Sequence, residues 1–459
     1  MYTIDSLQIN NNYFFQTGDH QYTVFNNLTL EIFCYRGRPE DFPSRIKPTE
    51  IVNSAGNTEL RNKLKGVLPS VTICISEACN LSCKYCYANG GSYNKEEKIT
   101  MSLADLVYMF EELLKLYPRG VINYTFFGGE PMLGFKEIEG FVEYVTVNSK
   151  SRNLVTPHFA IVTNGTLIDK NAWDIFNKYN FSVTVSLDGP KAINDQMRIF
   201  PHSQKSVYDA VKNNLTSFGE RNFLLVAEAT LGDFYFLNYR PGSAKEYLDS
   251  FYSLGFDSVS PFIAETENTD YNNSDFLQGV VCFYHDLVDY YFDLLLSPEA
   301  YERTPPYILG VIINLLLKKN KKNCSAGKSS LFYTHSGDVY PCQMYYGDTS
   351  NKIGNINNIV DLKNSIDNRV QIYREDLPEC RECLAYRFCN MWCPGGAYLF
   401  AGSERQVMPI RCVVQKAIGE KIICRLADVY ASDNQQEFIK NIISLSSRYS
   451  VAKYLGKVV

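Results

Sequence analysis

The sequence lacks any run of about 18 apolar residues, the length a helix needs to cross a bilayer, so no membrane is expected as a partner. Its opening, MYTIDSLQINNN, has no basic cluster and no apolar stretch behind one, so no secretory signal is read and a cytoplasmic location is expected. There is no basic excess: 45 Lys and Arg stand against 50 Asp and Glu, a formal net charge of −5. That balance argues against nucleic acid as the main partner. No glycine-rich dinucleotide fingerprint, internal repeat or low-complexity tract is evident. Histidine is scarce, with five in 459 residues.

Cysteine is what the chain has instead. There are 14, which in a cytoplasmic chain of this length points to metal binding rather than to a disulfide scaffold. Cys79, Cys83 and Cys86 form a C-x₃-C-x₂-C array; Cys380, Cys383, Cys389 and Cys393 form a second group, followed by Cys412; Cys324 and Cys342 flank a Gly-Asp turn. Cys34, Cys74, Cys282 and Cys424 stand apart and read as buried, inert thiols.

Three regions follow from the pattern along the chain. Residues 1–69 read as a small β-rich unit. A hairpin is expected around Thr17-Gly18-Asp19, a third strand in LTLEIFCY, and a short amphipathic helix in NTELRNKLKGVL. Residues 70–300 alternate strand and helix patterns. The strands are SVTICIS, VINYTFF, HFAIVT, FSVTVSL, FLLVAEATL and FDSVSPFI, which predicts a parallel, barrel-like α/β fold with chemistry at the C-terminal strand ends. FYHDLVDYYFDLLL is expected to close this region as a helix. Residues 301–459 are rich in cysteine, glycine and turns until VVQKAIGEKIICRLADVY returns to helical spacing. The basic run KKNKK reads as a solvated loop.

The first cysteine array follows directly on the first expected barrel strand. Zinc needs a fourth Cys or His nearby, and the next histidine is His158. Three thiolates on one short loop suit a [4Fe–4S] cluster with one iron left open. A structural zinc loop with a distant ligand is the alternative.

The array resembles the signature of the radical S-adenosylmethionine (SAM) superfamily. The motifs FFGGEP, TNGTL, SLDGP and NDQMR follow it in order at the ends of later strands. The resemblance implies a partial (β/α)6 barrel in which Cys79, Cys83 and Cys86 hold a [4Fe–4S] cluster. The open iron of that cluster would bind the amino and carboxylate groups of SAM, and reductive cleavage of SAM would give a hydrogen-abstracting 5′-deoxyadenosyl radical. By the same resemblance Tyr85, Gly129, Glu130, Asn164, Ser186 and Arg198 contact SAM, with Glu130 on its ammonium and Arg198 on its carboxylate. Family members often have His-Asp where this chain has Asn194-Asp195.

The later cysteines resemble the SPASM domain. That resemblance implies two auxiliary [4Fe–4S] clusters, one on Cys324, Cys342 and Cys393, the other on Cys380, Cys383, Cys389 and Cys412, and so three clusters in all. SPASM enzymes mostly modify ribosomally made peptides or protein side chains. Sulfatase-maturating members typically place Asp after the second SPASM cysteine; this chain has Gln343, which disfavours that branch. The expected function is a peptide maturase that installs a cross-link, a Cys thioether first, with carbon–carbon or carbon–oxygen cross-linking next. Its partners would be a precursor peptide and a reductant such as flavodoxin or ferredoxin. Residues 1–69 would be a compact winged-helix-like element that takes the leader as an added strand. An iron–sulfur electron-transfer or sensor protein is the non-enzymatic alternative. Two full clusters need eight ligands and seven are matched: Lys318 stands where relatives place the eighth, and neither Cys282 nor Cys424 matches that position. The first auxiliary cluster is therefore expected to keep an open iron, where a substrate thiolate could bind.

Overall fold

The computed structural model describes residues 6–9, 11–42, 64–93, 99–266, 270–297, 306–319 and 324–449. The helix expected from residue 57 lies outside these up to residue 63; residues 64–66 form a turn leading into the first barrel strand. Residues 320–322 of the basic run also lie outside, and Lys318 pairs with Glu31 at 3.2 Å.

Four strands build the N-terminal unit: β1 (Ser6–Ile9), β2 (Asn12–Gly18), β3 (Gln21–Asn26) and β4 (Glu31–Arg36). They form an antiparallel sheet in chain order, with the expected hairpin between β2 and β3. β1 was not foreseen. The only helical turn among the described residues here is the 3₁₀ turn Pro39–Asp41. Period-two alternation gives the sheet two apolar faces. Phe14 meets Phe42 edge-on at 5.4 Å on one face; Phe25 meets Phe388 at 6.0 Å on the other. The Asn27 amide donates to the Cys383 carbonyl at 3.3 Å, and the Tyr13 hydroxyl donates to the Glu382 carbonyl. The sheet thus lies on the C-terminal cysteine region.

The six expected barrel strands are all present: β5 (Leu68–Ser76), β6 (Val121–Gly128), β7 (His158–Thr163), β8 (Ser182–Ser186), β9 (Leu224–Leu231) and β10 (Ser258–Ile263). They pair parallel in sequence order. Alternate residues face outward to the helices. Phe126, Phe159 and Phe181 stack there with centroids 5.7–6.3 Å apart, and Phe126 meets Phe141 of helix Phe135–Ser151. The intervening residues, including Phe127, Val162, Ser186, Glu228 and Thr230, line the lumen. Helix Leu103–Leu116 starts at a capping box between Ser102 and Asp105. Helix Ser274–Leu295 closes the barrel region as expected.

The sheet does not stop near residue 300. β11 (Ser330–Tyr333) adds to β5 in parallel, Leu331 beside Val71, and β12 (Asp338–Tyr340) and β13 (Gly354–Asn355) extend it to nine strands. The Cys342 turn therefore hangs from the same sheet as the first cysteine array. Helix Pro409–Tyr430 packs along helix Ser274–Leu295 and under β3 and β4. Among the described residues no helix is long and apolar enough to cross a membrane.

Candidate active site

The loop after β5 carries Cys79, Cys83 and Cys86. Two backbone bonds pin it to the segment beyond β8: Ser82 N–H to Ile199 O at 2.8 Å and Lys84 N–H to Met197 O at 2.9 Å. The end of β6 presses against its base. Gly128 has φ +140°, and a Cβ there would lie 2.4 Å from Ser76 O; a Cβ on Gly129 would lie 2.4 Å from Ala78 O. Only glycine lets these backbones approach so closely. Gly129 N–H then bonds Ser76 O at 2.7 Å, and Glu130 N–H bonds Ala78 O at 2.8 Å.

All three thiols open on one cavity of about 410 Å³, together with Tyr85, Gly129, Asn164, Ser186 and Arg198. Burial pushes the Cys79 thiol up to about 12 and the Cys83 thiol up to about 11, the latter against the pull of Arg198. Such thiols keep their protons unless a cationic group binds them.

Glu130 is fully buried. Its Oε1 accepts from Met132 N–H at 3.0 Å and from the Thr163 hydroxyl at 2.6 Å; its Oε2 accepts from Asn164 N–H at 2.7 Å. The carboxylate ties the end of β6 to the turn after β7 and so holds Asn164 at the cavity wall. Burial pushes it up to about 7, opposed by its three donors. An amide can keep only part of this set: turning its NH₂ toward the Oε1 side leaves Met132 N–H without an acceptor. Glu130→Gln is therefore expected to cost about 1–3 kcal/mol of stability in the apoprotein, measured by urea denaturation. An unchanged midpoint would show that the carboxylate holds nothing in place.

Arg198 lines the cavity with its charge already met on one side. Its Nε donates to Asp188 Oδ1 at 3.0 Å, and its guanidinium lies 5.4 Å from the Tyr85 ring centre. Asp188 also accepts from the Tyr85 hydroxyl at 2.5 Å and from Thr230 N–H at 2.9 Å. Asn194 Oδ1 accepts from Asp188 N–H at 3.1 Å, so a neutral side chain serves where family members often have histidine. Sequence reasoning quoted SLDGP only for Ser186 and missed Asp188.

A second cavity, of about 350 Å³, is lined by Cys380, Cys383, Cys389 and Cys412. Burial again raises Cys383, Cys380 to about 11 and Cys412 to about 12. Cys342, held up to about 12 mainly by burial, feels both Cys393 and Cys324. Cys393 also lines the first cavity, opposite the loop of three. Among the described residues no three His, Cys, Asp or Glu side chains close on one point as a single metal ion requires. The thiols stand around cavities instead, and an all-sulfur donor set on that scale fits iron–sulfur clusters. Cys282 lies against Gln278 on helix Ser274–Leu295, and Cys424 lies among Glu420, Lys421 and Asp428 on helix Pro409–Tyr430; neither joins the other thiols. Cys34, expected to be buried, is exposed on β4, the last strand of its sheet.

Residues 73–219 match the radical SAM superfamily. The chain carries a radical SAM domain. The match runs from β5 through the three cysteines, the Gly-Gly-Glu turn and Arg198, the segments that wall the first cavity. Across a greater length the chain is 23% identical to the radical SAM cyclopropyl synthase TigE of Paramaledivibacter caminithermalis, over 449 residues, which is 94% of this chain and 86% of that one. It is 28% identical to a cysteine-type anaerobic sulfatase-maturating enzyme of Clostridium novyi, over 69% of this chain and 85% of that one. A solved structure of anSMEcpe with bound AdoMet shares the fold with a TM-score of 0.65, at 21% identity, covering 81% of this chain and 98% of that one. The protein is a radical SAM enzyme. Three further residues of its cavity escaped the sequence reading: Glu228, Glu265 and Arg411. Burial raises Glu228, which stands on β9 level with Ser186 of β8.

Proposed function

We propose that the protein is a radical SAM maturase that closes a thioether between a cysteine sulfur and a carbon of a precursor peptide. The observation that carries this reading is the shared chamber. The radical SAM cysteines form one wall, and Cys393, Met344 and Arg411 of the C-terminal cysteine region form another. When bound, a [4Fe–4S] cluster and SAM supply hydrogen-abstracting radical chemistry. The chain's own residues place the cofactor and keep water out: Cys79, Cys83 and Cys86 as ligands, Arg198 for the SAM carboxylate, Asn164 and Tyr85 beside it, Ser186 and Glu228 for the ribose hydroxyls. Glu130 acts by holding Asn164. Cys324, Cys342 and Cys393 would hold one auxiliary cluster and Cys380, Cys383, Cys389 and Cys412 the other, in a SPASM arrangement. Reducing equivalents would come from a flavodoxin or ferredoxin, in the cytoplasm.

Two features support sulfur chemistry. Gln343 cannot act as the base that sulfatase-maturating enzymes place there. The eighth cluster ligand is also not supplied by the residues the sequence offered: Cys282 and Cys424 lie elsewhere, and Lys318 faces Glu31. An open iron beside Cys393 would take a substrate thiolate and hold it near the reacting carbon. A second reading, closure of a carbon–carbon bond, is favoured by the cyclopropyl synthase relative, whose likeness runs over nearly the whole chain.

The test uses anaerobically reconstituted protein with SAM, dithionite and the candidate precursor peptide. Formation of 5′-deoxyadenosine is expected, with a product two hydrogens lighter whose cysteine resists alkylation. A lighter product whose cysteine still alkylates would transfer the proposal to carbon–carbon closure. No 5′-deoxyadenosine at all would end both readings.

The N-terminal sheet is proposed as the leader-binding element. β4 is the last strand of its sheet, and Ile32, Phe33 and Cys34 line a groove with Ala427, Tyr430 and Ala431. A leader strand would pair along this edge through its backbone. Proline in the docking segment of the leader, which removes an N–H, is expected to weaken binding by about tenfold, roughly one hydrogen bond. Fluorescence anisotropy of labelled leader peptides measures it, and affinity unmoved by a proline scan would refute strand pairing.

A further inference from the structure

One ion pair stands between the two cavities. Glu265 follows β10 by two residues, and Arg411 lies in the first turn of helix Pro409–Tyr430, beside Cys412. Arg411 Nε donates to Glu265 Oε1 and Nη2 donates to Oε2, both at 2.7 Å. This two-pronged geometry fixes the guanidinium plane. The Glu265 side chain is 7% exposed and the Arg411 side chain 26%, so the carboxylate end of the pair is the better shielded from solvent. Both residues line the larger cavity, and Arg411 lines the smaller one as well.

The guanidinium lies against Gly396: a Cβ there would lie 3.1 Å from Nη1 and 3.3 Å from Nη2. Gly396 N–H in turn donates to Cys393 Sγ at 3.3 Å. Gly396 thus lies between the guanidinium and Cys393, and Arg411 and Cys393 line the same cavity. Arg411 therefore carries its charge, held by Glu265 of the barrel, to the turn that bears Cys393, and glycine at 396 leaves room for it.

We propose that Arg411, aimed by Glu265, is a positioning residue that sets the reduction potential of the cluster held by Cys324, Cys342 and Cys393. This rests on the cluster assignment made above. A nearby positive charge stabilises the reduced cluster, which carries one more negative charge, and so raises the potential. The role matters because of how the proposed reaction balances. Closing a C–S bond breaks one C–H and one S–H. The first hydrogen leaves as an atom to the 5′-deoxyadenosyl radical, the second as a proton to solvent. One electron remains, and the oxidised [4Fe–4S] group at the cavity wall would take it. A cluster without Arg411 would be a poorer acceptor.

The full chain carrying Cys79, Cys83 and Cys86→Ala is reconstituted anaerobically and titrated electrochemically with EPR detection, alone and with Arg411→Met, Arg411→Lys or Glu265→Gln added. Iron content and the presence of auxiliary signals in the parent decide the cluster assignment before any variant is compared; a parent without them overturns assignment and inference together. Given those signals, Arg411→Met is expected to lower one couple by about 59 mV, a tenfold change for one electron. Glu265→Gln should raise the same couple. Arg411→Lys, which keeps the charge and loses the fork, should lower it less than Met. Circular dichroism identifies any variant that has lost its fold, and the lysine variant then carries the comparison. Potentials that stay put, or charge-opposed variants that shift in the same direction, overturn the inference.

Discussion

Replacing Cys79, Cys83 and Cys86 with alanine is expected to abolish 5′-deoxyadenosine formation and to remove about four of about twelve irons per chain. Of the other seven matched cysteines, Cys380, Cys383, Cys389 and Cys412 stand around their own cavity, and Cys393 lines the shared one with Cys342 and Cys324 near it, so their donors survive the change. The loop itself should keep its path. Its backbone is fixed by Ile199, Met197 and the Gly128-Gly129 contact, none of which involves a thiol. Iron analysis and EPR of the reconstituted variant measure the result. Loss of all iron together would mean that the cysteine sets form one cooperative site, against the assignment made here.

The second large effect is expected at Asp188. Its carboxylate is fully buried, and Arg198 is 7% exposed. Asp188→Asn keeps the volume and removes the charge. The Arg198 guanidinium is then left buried beside an amide, and one of the donors Arg198 Nε, Tyr85 O–H and Thr230 N–H meets an NH₂ group. Removing one partner of a buried pair costs about 3–5 kcal/mol. Because Arg198 and Tyr85 both lean on Asp188, affinity for SAM should fall as well, by about tenfold or more. Denaturation curves give the first quantity and equilibrium binding of SAM to the reconstituted protein gives the second. Wild-type values for both would mean that Arg198 is oriented by something else.

Asp188 shows where sequence reading ran out. In the chain it is one letter of a Leu-Asp-Gly turn, and a turn is reason enough for Asp and Gly to be adjacent. Its partners come from position 85, position 198 and a backbone amide at 230, and no local pattern announces that they converge. Glu265 and Arg411, separated by 146 residues, are hidden for the same reason. Glu130 was legible as part of a motif, but a motif does not say that Met132 N–H, Asn164 N–H and the Thr163 hydroxyl converge on its carboxylate. The barrel strands were legible because strand period and helix period differ, and six alternating runs leave few other architectures. β11 was not, since a four-residue strand in a cysteine-rich stretch carries too little period to count. The hairpin of the N-terminal unit was plain from Thr17-Gly18-Asp19, whereas the surface it rests on, around Cys383 and Phe388, lies far along the chain.

That last contact has a consequence for synthesis. The Asn27 side chain bonds a carbonyl 356 residues downstream. At about 5–20 residues per second, the ribosome makes the first sheet on the order of tens of seconds before it makes the surface that covers Phe25. Through that interval Tyr13, Phe15 and Phe25 stay uncovered on a sheet too small to bury them alone. A nascent chain in this condition is a natural client for a holding chaperone, and the sheet can dock only once the Cys380–Cys389 loop has been made. Docking of the first sheet would then report that translation has passed the segment whose thiols are proposed above to hold iron.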